Sequence, residues 1–262
     1  MTHNSSAIRT VQVMRYVTPL REGGSLPAIA EADDEFLYVV KFRGAGQGTR
    51  ALVADFIGAE LARAAGLKVP ELVFANLDEA FGRTEPDEEI QDLLKASVGV
   101  NLGVHYLQGA ITYDPAVKEL DASLSSKIVW LDALLMNVDR TAKNTNMLCW
   151  HNENWLIDFG ASLYFHHAGY EWETYASKPF VQIRDHVLLK QATEIEQADA
   201  ALRQIFTYEL IHNIVAAVPE SWLQYDNEKL SVEEIRKVYT NFLISRIAGS
   251  ANFVNEIIHG GK

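Results

Sequence analysis

Hydrophobic rhythm changes along this chain, and the change limits the folds open to it. Near the start, apolar and β-branched residues alternate with polar ones in Val11-Gln12-Val13-Met14-Arg15-Tyr16-Val17 and recur in Phe36-Leu37-Tyr38-Val39-Val40-Lys41-Phe42. Such segments predict strands. Residues 26–31 read as another strand, with a turn at 20–27 before it and a hairpin turn at Asp33-Asp34 after it. Then Leu52, Val53, Phe56, Ile57, Ala59, Leu61 and Ala64 are spaced by three and four, which predicts a helix with one buried face. Thr49 is its candidate cap and Gly66 its stop.

Residues 69–75 return to an extended pattern, and residues 79–89 form an acidic, turn-rich surface excursion. Later the chain reads mainly as helix. Ser123 or Ser125 opens one through Ile128, Val129, Leu131, Leu134 and Leu135. Residues 183–189 and 195–217 carry helical patterns, and Ser231 with Glu234 forms a capping-box signature before Ile235, Val238, Tyr239, Phe242, Leu243 and Ile247. The expectation is an α+β fold in two parts: residues 1–98, β-rich with one main helix, and residues 99–262, mostly helical, with the crossing within 98–106.

Composition removes several functional classes. A length of 262 residues suffices for one large domain or two small lobes, and 48% apolar residues allow a substantial core. The formal charge is −12 without a basic run, so nucleic acid is not an expected partner. Cys149 is the single cysteine, which excludes an internal disulfide and fits a reducing compartment. Residues 1–9 lack the apolar core of a signal peptide, and no apolar run approaches the roughly 20 residues that span a bilayer. Cytoplasm is the expected location, with no membrane partner. The histidines show no metal-ligand spacing, and no G-x-S-x-G is present.

The chemistry concentrates between residues 137 and 160. Asp139 and Asn144 lie five residues apart, and Asp158 follows before Phe159-Gly160. A carboxylate, an amide and a second carboxylate can orient a hydroxyl nucleophile and hold Mg²⁺ on ATP, as phosphoryl transfer requires. The short strands 147–150 and 155–157, joined by a turn at 151–154, bring Asp158 back beside Asn144. Asn146 competes for the metal role, since in an extended stretch it lies on the same side as Asn144. Lys41 closes a strand, where an ammonium can meet the phosphates. Its acidic partner is Asp55 or Glu60, and Asp55 is preferred because it falls one turn inside the helix. Gly23-Gly24-Ser25 either covers the phosphates with backbone N–H groups or is a plain hairpin turn. Gly44, Gly46 and Gly48 lack the G-K-[ST] ending of a P-loop.

Tyr38-Val39-Val40-Lys41, Leu52-Val53-Ala54-Asp55 through Leu61-Ala62-Arg63 to Val69-Pro70, Asn137-Val138-Asp139-Arg140 with Asn144, and Asp158 together resemble the HipA-like kinases. The resemblance spans roughly residues 11 to 250. It implies a two-lobed protein-kinase-like fold, with distant kinship to phosphatidylinositol kinases, and an ATP- and Mg²⁺-dependent serine/threonine kinase with a protein substrate. By the same resemblance Asp139 is the catalytic base, Asn144 and Asp158 are metal ligands, and Lys41, held by Asp55, is the phosphate lysine. Thr141 stands where a histidine often follows Asp-Arg, and Asp55 where a glutamate is more usual. The alternatives are a small-molecule or lipid kinase with the same machinery, or a nucleotide-binding pseudokinase scaffold.

Overall fold

The computed structural model describes residues 8–20, 26–84, 86–169, 171–224 and 229–260. Gly23, Gly24 and Ser25 lie outside the described residues. Among those described, the strands β1 (Arg9–Pro19), β2 (Ala28–Ala32), β3 (Leu37–Lys41), β4 (Leu72–Leu77) and β5 (Gly99–His105) close into a barrel in the order β1-β2-β3-β5-β4. β1 closes it by pairing parallel to β4, with Arg9 opposite Val73 and Gln12 opposite Asn76; the other pairings are antiparallel.

A barrel of so few strands is narrow, and its lining is correspondingly small. Val11, Val13, Ala28, Ala30, Val40, Val73 and Ala75 fill it around Tyr38. Gly103 on β5 has no room for a side chain, since an added Cβ would stand 2.6 Å from Val73 Cγ2. Alternation along β3 buries Tyr38 and Val40 in the barrel and leaves Leu37, Val39 and Lys41 on the other face. β5 lies between β3 and β4, so residues 99–105 belong to the barrel.

The helix α1 (Gly48–Ala64) follows β3. Gln47 is its N-cap, without a side-chain capping bond, so Thr49 lies inside the helix. Its burial differs from the single buried face expected: Ala51 through Ala59, together with Leu61 and Ala62, are all buried. The reason is that α1 belongs to the main core, shared with the later helices. The acidic excursion leads into α2 (Glu88–Ala96), capped by Asp87, whose side chain accepts from Glu89 N and Ile90 N.

The helical part is built around α3 (Ala122–Leu135), whose N-cap is Asp121 and which is buried nearly all round. The strands β6 (Ile111–Thr112), β7 (Met147–Trp150) and β8 (Glu153–Leu156) form a small sheet in the order β6-β7-β8. His151 and Asn152 join β7 to β8 with φ of 48° and 63°, the two left-handed positions that a tight hairpin needs. Residues 183–189 do not form the expected helix: Val181–Asp185 and Leu189–Gln191 are separate 3-10 turns.

Against α3 pack α5 (Ile195–Ile205), α8 (Val232–Ala248) and α9 (Ala251–Gly260), while α4 (Trp172–Ala176) and α6 (Tyr208–Ala216) pack on α8 and α7 (Glu220–Leu223) on α1 and α8. The expected helix 195–217 is thus split, with Thr207 capping α6 by accepting from Leu210 N. The Ser231–Glu234 capping box opens α8. Buried Arg246 from α8 donates to Ala133 O at 2.7 Å and Leu134 O at 2.9 Å, neutralising carbonyls at the end of α3. Trp222 of α7 reaches across to the barrel strands: its indole N–H donates to Val100 O at 2.8 Å and its ring meets Phe56 and Phe74 edge-on. No helix among the described residues is long and apolar enough to cross a membrane.

Candidate active site

Lys41 ends β3 on the outer barrel face, and its ammonium donates to two carboxylates. One is Asp55, at the buried centre of α1; the other is Asp158 Oδ1, at 2.8 Å. Glu60, the rival partner, instead pairs with Arg63. Asp55 is engaged at both oxygens, because Oδ1 accepts from Phe159 N at 2.7 Å. The short aspartate suffices because α1 approaches the 158–160 segment closely. At Gly58 an added Cβ would stand 2.6 Å from Phe159 Cβ, so only a glycine lets that ring lie on the helix.

Asp158 has φ of 55°, a left-handed conformation that aspartate tolerates better than most residues. Its Oδ1 also accepts from Gly160 N at 3.2 Å. The side chain is 45% exposed, not the buried carboxylate that its place after an apolar strand suggests. Lys41 holds the Asp158 carboxyl below its ordinary range, against the effect of burial. Burial pushes Asp55 up, opposed by Lys41. Burial also acts to lower Lys41, but Asp158 and Asp55 outweigh it and keep the ammonium firmly protonated.

A second group forms beyond the end of α3. Met136 takes a left-handed φ of 56° and Asn137 N donates back to Asp132 O, which turns the chain out of the helix at Asp139. Asp139 Oδ2 accepts from two side-chain amides, Asn144 Nδ2 at 2.8 Å and Asn146 Nδ2 at 3.1 Å. The loop between them is closed by Thr141 N donating to Asn144 O at 2.9 Å.

Arg140 joins the two groups. Its Nη1 donates to Asn146 O and to Ile157 O, the residue before Asp158, while its guanidinium stacks over the Phe159 ring at 4.9 Å. Its Nε donates to Asp132 Oδ2 at 2.6 Å, and His186 Nε2 donates to the same oxygen at 2.9 Å. Asn137 Nδ2 occupies Asp132 Oδ1 at 2.9 Å. Burial alone would raise the Asp132 carboxyl, yet Arg140 and His186 bring it down to about 2. His186 Nδ1 accepts from Leu188 N at 3.0 Å, so the proton sits on Nε2 and the ring is neutral. Burial lowers its pKa accordingly.

The structure therefore brings Lys41, Asp55 and Asp158 into one contact network, and Asp139 and Asn144 into another, with Arg140 bonded to the backbone of both. The sequence reading missed Asp132 and His186. Asp132 carried a weak signal, as a carboxylate inside an otherwise apolar helix; His186 carried none, being 54 residues away from it in the chain.

The HipA-like kinase family profile matches residues 13–254, and the chain belongs to that family of kinase-type phosphotransferases. Among solved structures it is similar to the Helicobacter pylori proinflammatory kinase CtkA, with 13% identity, 95% of this chain and 96% of that chain covered, and a TM-score of 0.54. The fold is thus kinase-like, with a small β-rich part and a larger helical part. The Golgi casein kinase with Mn/ADP bound aligns at 11% identity over 95% of this chain and 76% of that one, with a TM-score of 0.40. No match is found among curated protein sequences.

Proposed function

We propose that this protein is an ATP-dependent serine/threonine protein kinase that uses Mg²⁺, with a lobe of strands and α1 that binds phosphate and a helical lobe that carries the base. The observation that carries the reading is the Arg140 frame, which ties the Asp139 loop to the backbone before Asp158.

Asp139 has one oxygen held by two amides, which leaves Oδ1 to accept a hydrogen bond from an incoming hydroxyl and to take its proton late in transfer. Lys41, kept charged by two carboxylates, is placed to meet phosphate oxygens. Asp55 anchors that lysine to α1. Among these described residues, Asp55, Asp139 and Asp158 outnumber the charge of Lys41, so the cleft attracts a cation.

The donor chemistry fits Mg²⁺. Asn144 gives its N–H to Asp139 and retains its amide oxygen, and Asp158 Oδ2 has no protein donor among the described residues; both are hard oxygen ligands. Mg²⁺ is commonly bound by few protein ligands, completed by waters and phosphate oxygens. When bound, the cation would shield phosphate charge. The family resemblance supports a protein hydroxyl as acceptor.

The test is γ-phosphate transfer to candidate proteins, with and without Mg²⁺. Asp139→Ala is expected to lose transfer by at least about 100-fold, within the range of general-base effects, while ATP binding persists. Equal turnover in wild type and variant would refute the base assignment.

A further inference from the structure

Two asparagines converge on one oxygen of Asp139, and their surroundings differ. Asn144 is exposed, on a loop whose tie is Thr141 N to its carbonyl. Asn146 is 8% exposed, and its backbone is fixed from two sides. Its carbonyl accepts from Arg140 Nη1 and from Ile157 N at 3.0 Å, where the β7–β8 hairpin begins. Its φ is 45°, a left-handed value that asparagine accepts readily. Between the two, Thr145 turns the other way and donates its hydroxyl to Tyr113 O at 3.1 Å.

We infer that Asn146 is a positioning residue, which holds the Asp139 carboxylate in its working orientation so that Asn144 can serve the cation. This rests on the kinase reading above. A carboxylate is free to rotate about its Cα–Cβ and Cβ–Cγ bonds, and pinning one oxygen aims the other. Asn144 alone is a poor pin, because an amide that turns its oxygen to a cation loses its best angle for donating to Asp139. Asn146 has no such competing duty. Its burial keeps it away from solvent-borne ligands, and its main chain cannot drift without breaking the Arg140 and Ile157 bonds. Sequence spacing could not separate the two asparagines; burial and backbone anchoring do.

The variant Asn146→Gly removes the amide and keeps the left-handed backbone at no steric cost. Asn146→Ala likewise removes the donor without adding charge, at the cost of a left-handed backbone that alanine adopts less readily. In both, kcat is expected to fall roughly 10- to 100-fold, the range for a hydrogen bond to a charged group. KM for ATP and the Mg²⁺ concentration giving half-maximal rate are expected to stay within about twofold, as for loss of an interaction that matters only in the transition state. Asn144→Ala, by contrast, should raise the Mg²⁺ requirement.

A crystal structure of Asn146→Gly supplies a readout independent of turnover: the Asp139 carboxylate should leave its wild-type rotamer. An unchanged kcat in both variants, or an Asp139 that stays in place, overturns the inference while leaving the kinase reading intact. A Mg²⁺ requirement raised as in Asn144→Ala would also overturn it, by making Asn146 the ligand. Absence of transfer by the wild type counts against the kinase reading instead, and the Asp139 rotamer then decides the positioning role.

Discussion

Replacing Asp132 with asparagine should destabilise the protein by several kcal/mol without changing any packing volume. Asp132 is completely buried and accepts from Arg140 Nε, His186 Nε2 and Asn137 Nδ2. Asp132→Asn leaves the Arg140 guanidinium, with 0% side-chain exposure, without its counter-charge. Removing one partner of a buried ion pair costs about 3–5 kcal/mol. A second route gives a smaller figure. The Asp132 carboxyl falls from 3.8 to about 2 on folding, and at 1.36 kcal/mol per unit that is roughly 2 kcal/mol of net stabilisation. The two differ because the second subtracts the cost of burying the carboxylate.

Taken together they predict a loss of roughly 2–5 kcal/mol, and with about 2–4 °C per kcal/mol for a chain near this size, a fall in Tm of roughly 4–20 °C. Urea denaturation at pH 7, followed by tryptophan fluorescence and circular dichroism, measures it. A change below about 1 kcal/mol would show that Arg140 is neutralised by the Asn146 and Ile157 carbonyls alone. The sign with pH is fixed as well. Because the folded-state value is the lower one, this stabilisation is present above the unfolded value near 3.8 and is lost as pH falls through about 2.

Two further tests address other parts of the structure. His186 and His166 are buried and held neutral, so the unfolded chain takes up protons below its ordinary histidine value of 6.5 while the folded chain does not. Stability should therefore fall as pH drops from 7 to 5, by up to about 1.4 kcal/mol per pH unit for each histidine, and urea midpoints that stay flat over that range would exclude it. Gly58→Ala improves helix propensity by about 1 kcal/mol but forces a Cβ to 2.6 Å from Phe159 Cβ. Overpacking of about 1–3 kcal/mol should win, lowering both Tm and phosphotransfer, whereas a variant more stable than wild type would show that Phe159 moves aside at no cost.

What the sequence disclosed was local. β1, β3 and the β7–β8 hairpin were legible because each carries its own alternation or turn chemistry, and α8 because its capping box lies within four residues. The Lys41–Asp55 pair was legible because strand end and helix follow one another in the chain. Non-local facts were not. The true extent of α1 burial depends on Trp222 and Phe159, more than 100 residues on. Residues 183–189 looked helical because apolar spacing cannot distinguish a helix from two 3-10 turns wrapped on a core. The split between α5 and α6 carries no Gly or Pro to announce it. Spacing singled out Asp139, Asn144 and Asp158, but the arginine that connects their segments was quoted only as a neighbour, since its partners there are backbone carbonyls with no sequence signature.

The shared position of α1 has a mechanical consequence. The buried middle of α1, with Trp222 of α7 bound to a barrel strand and packed against Phe56 and Phe74, couples the small half of the molecule to the large one. Swinging one half away would part the Trp222 ring from Phe56 and Phe74 and expose apolar area at about 25 cal/mol for every Å². Access to Lys41 and Asp158 then depends on the side chains and loops around them, while the packed halves keep Asp55, Asp158 and the ammonium in contact.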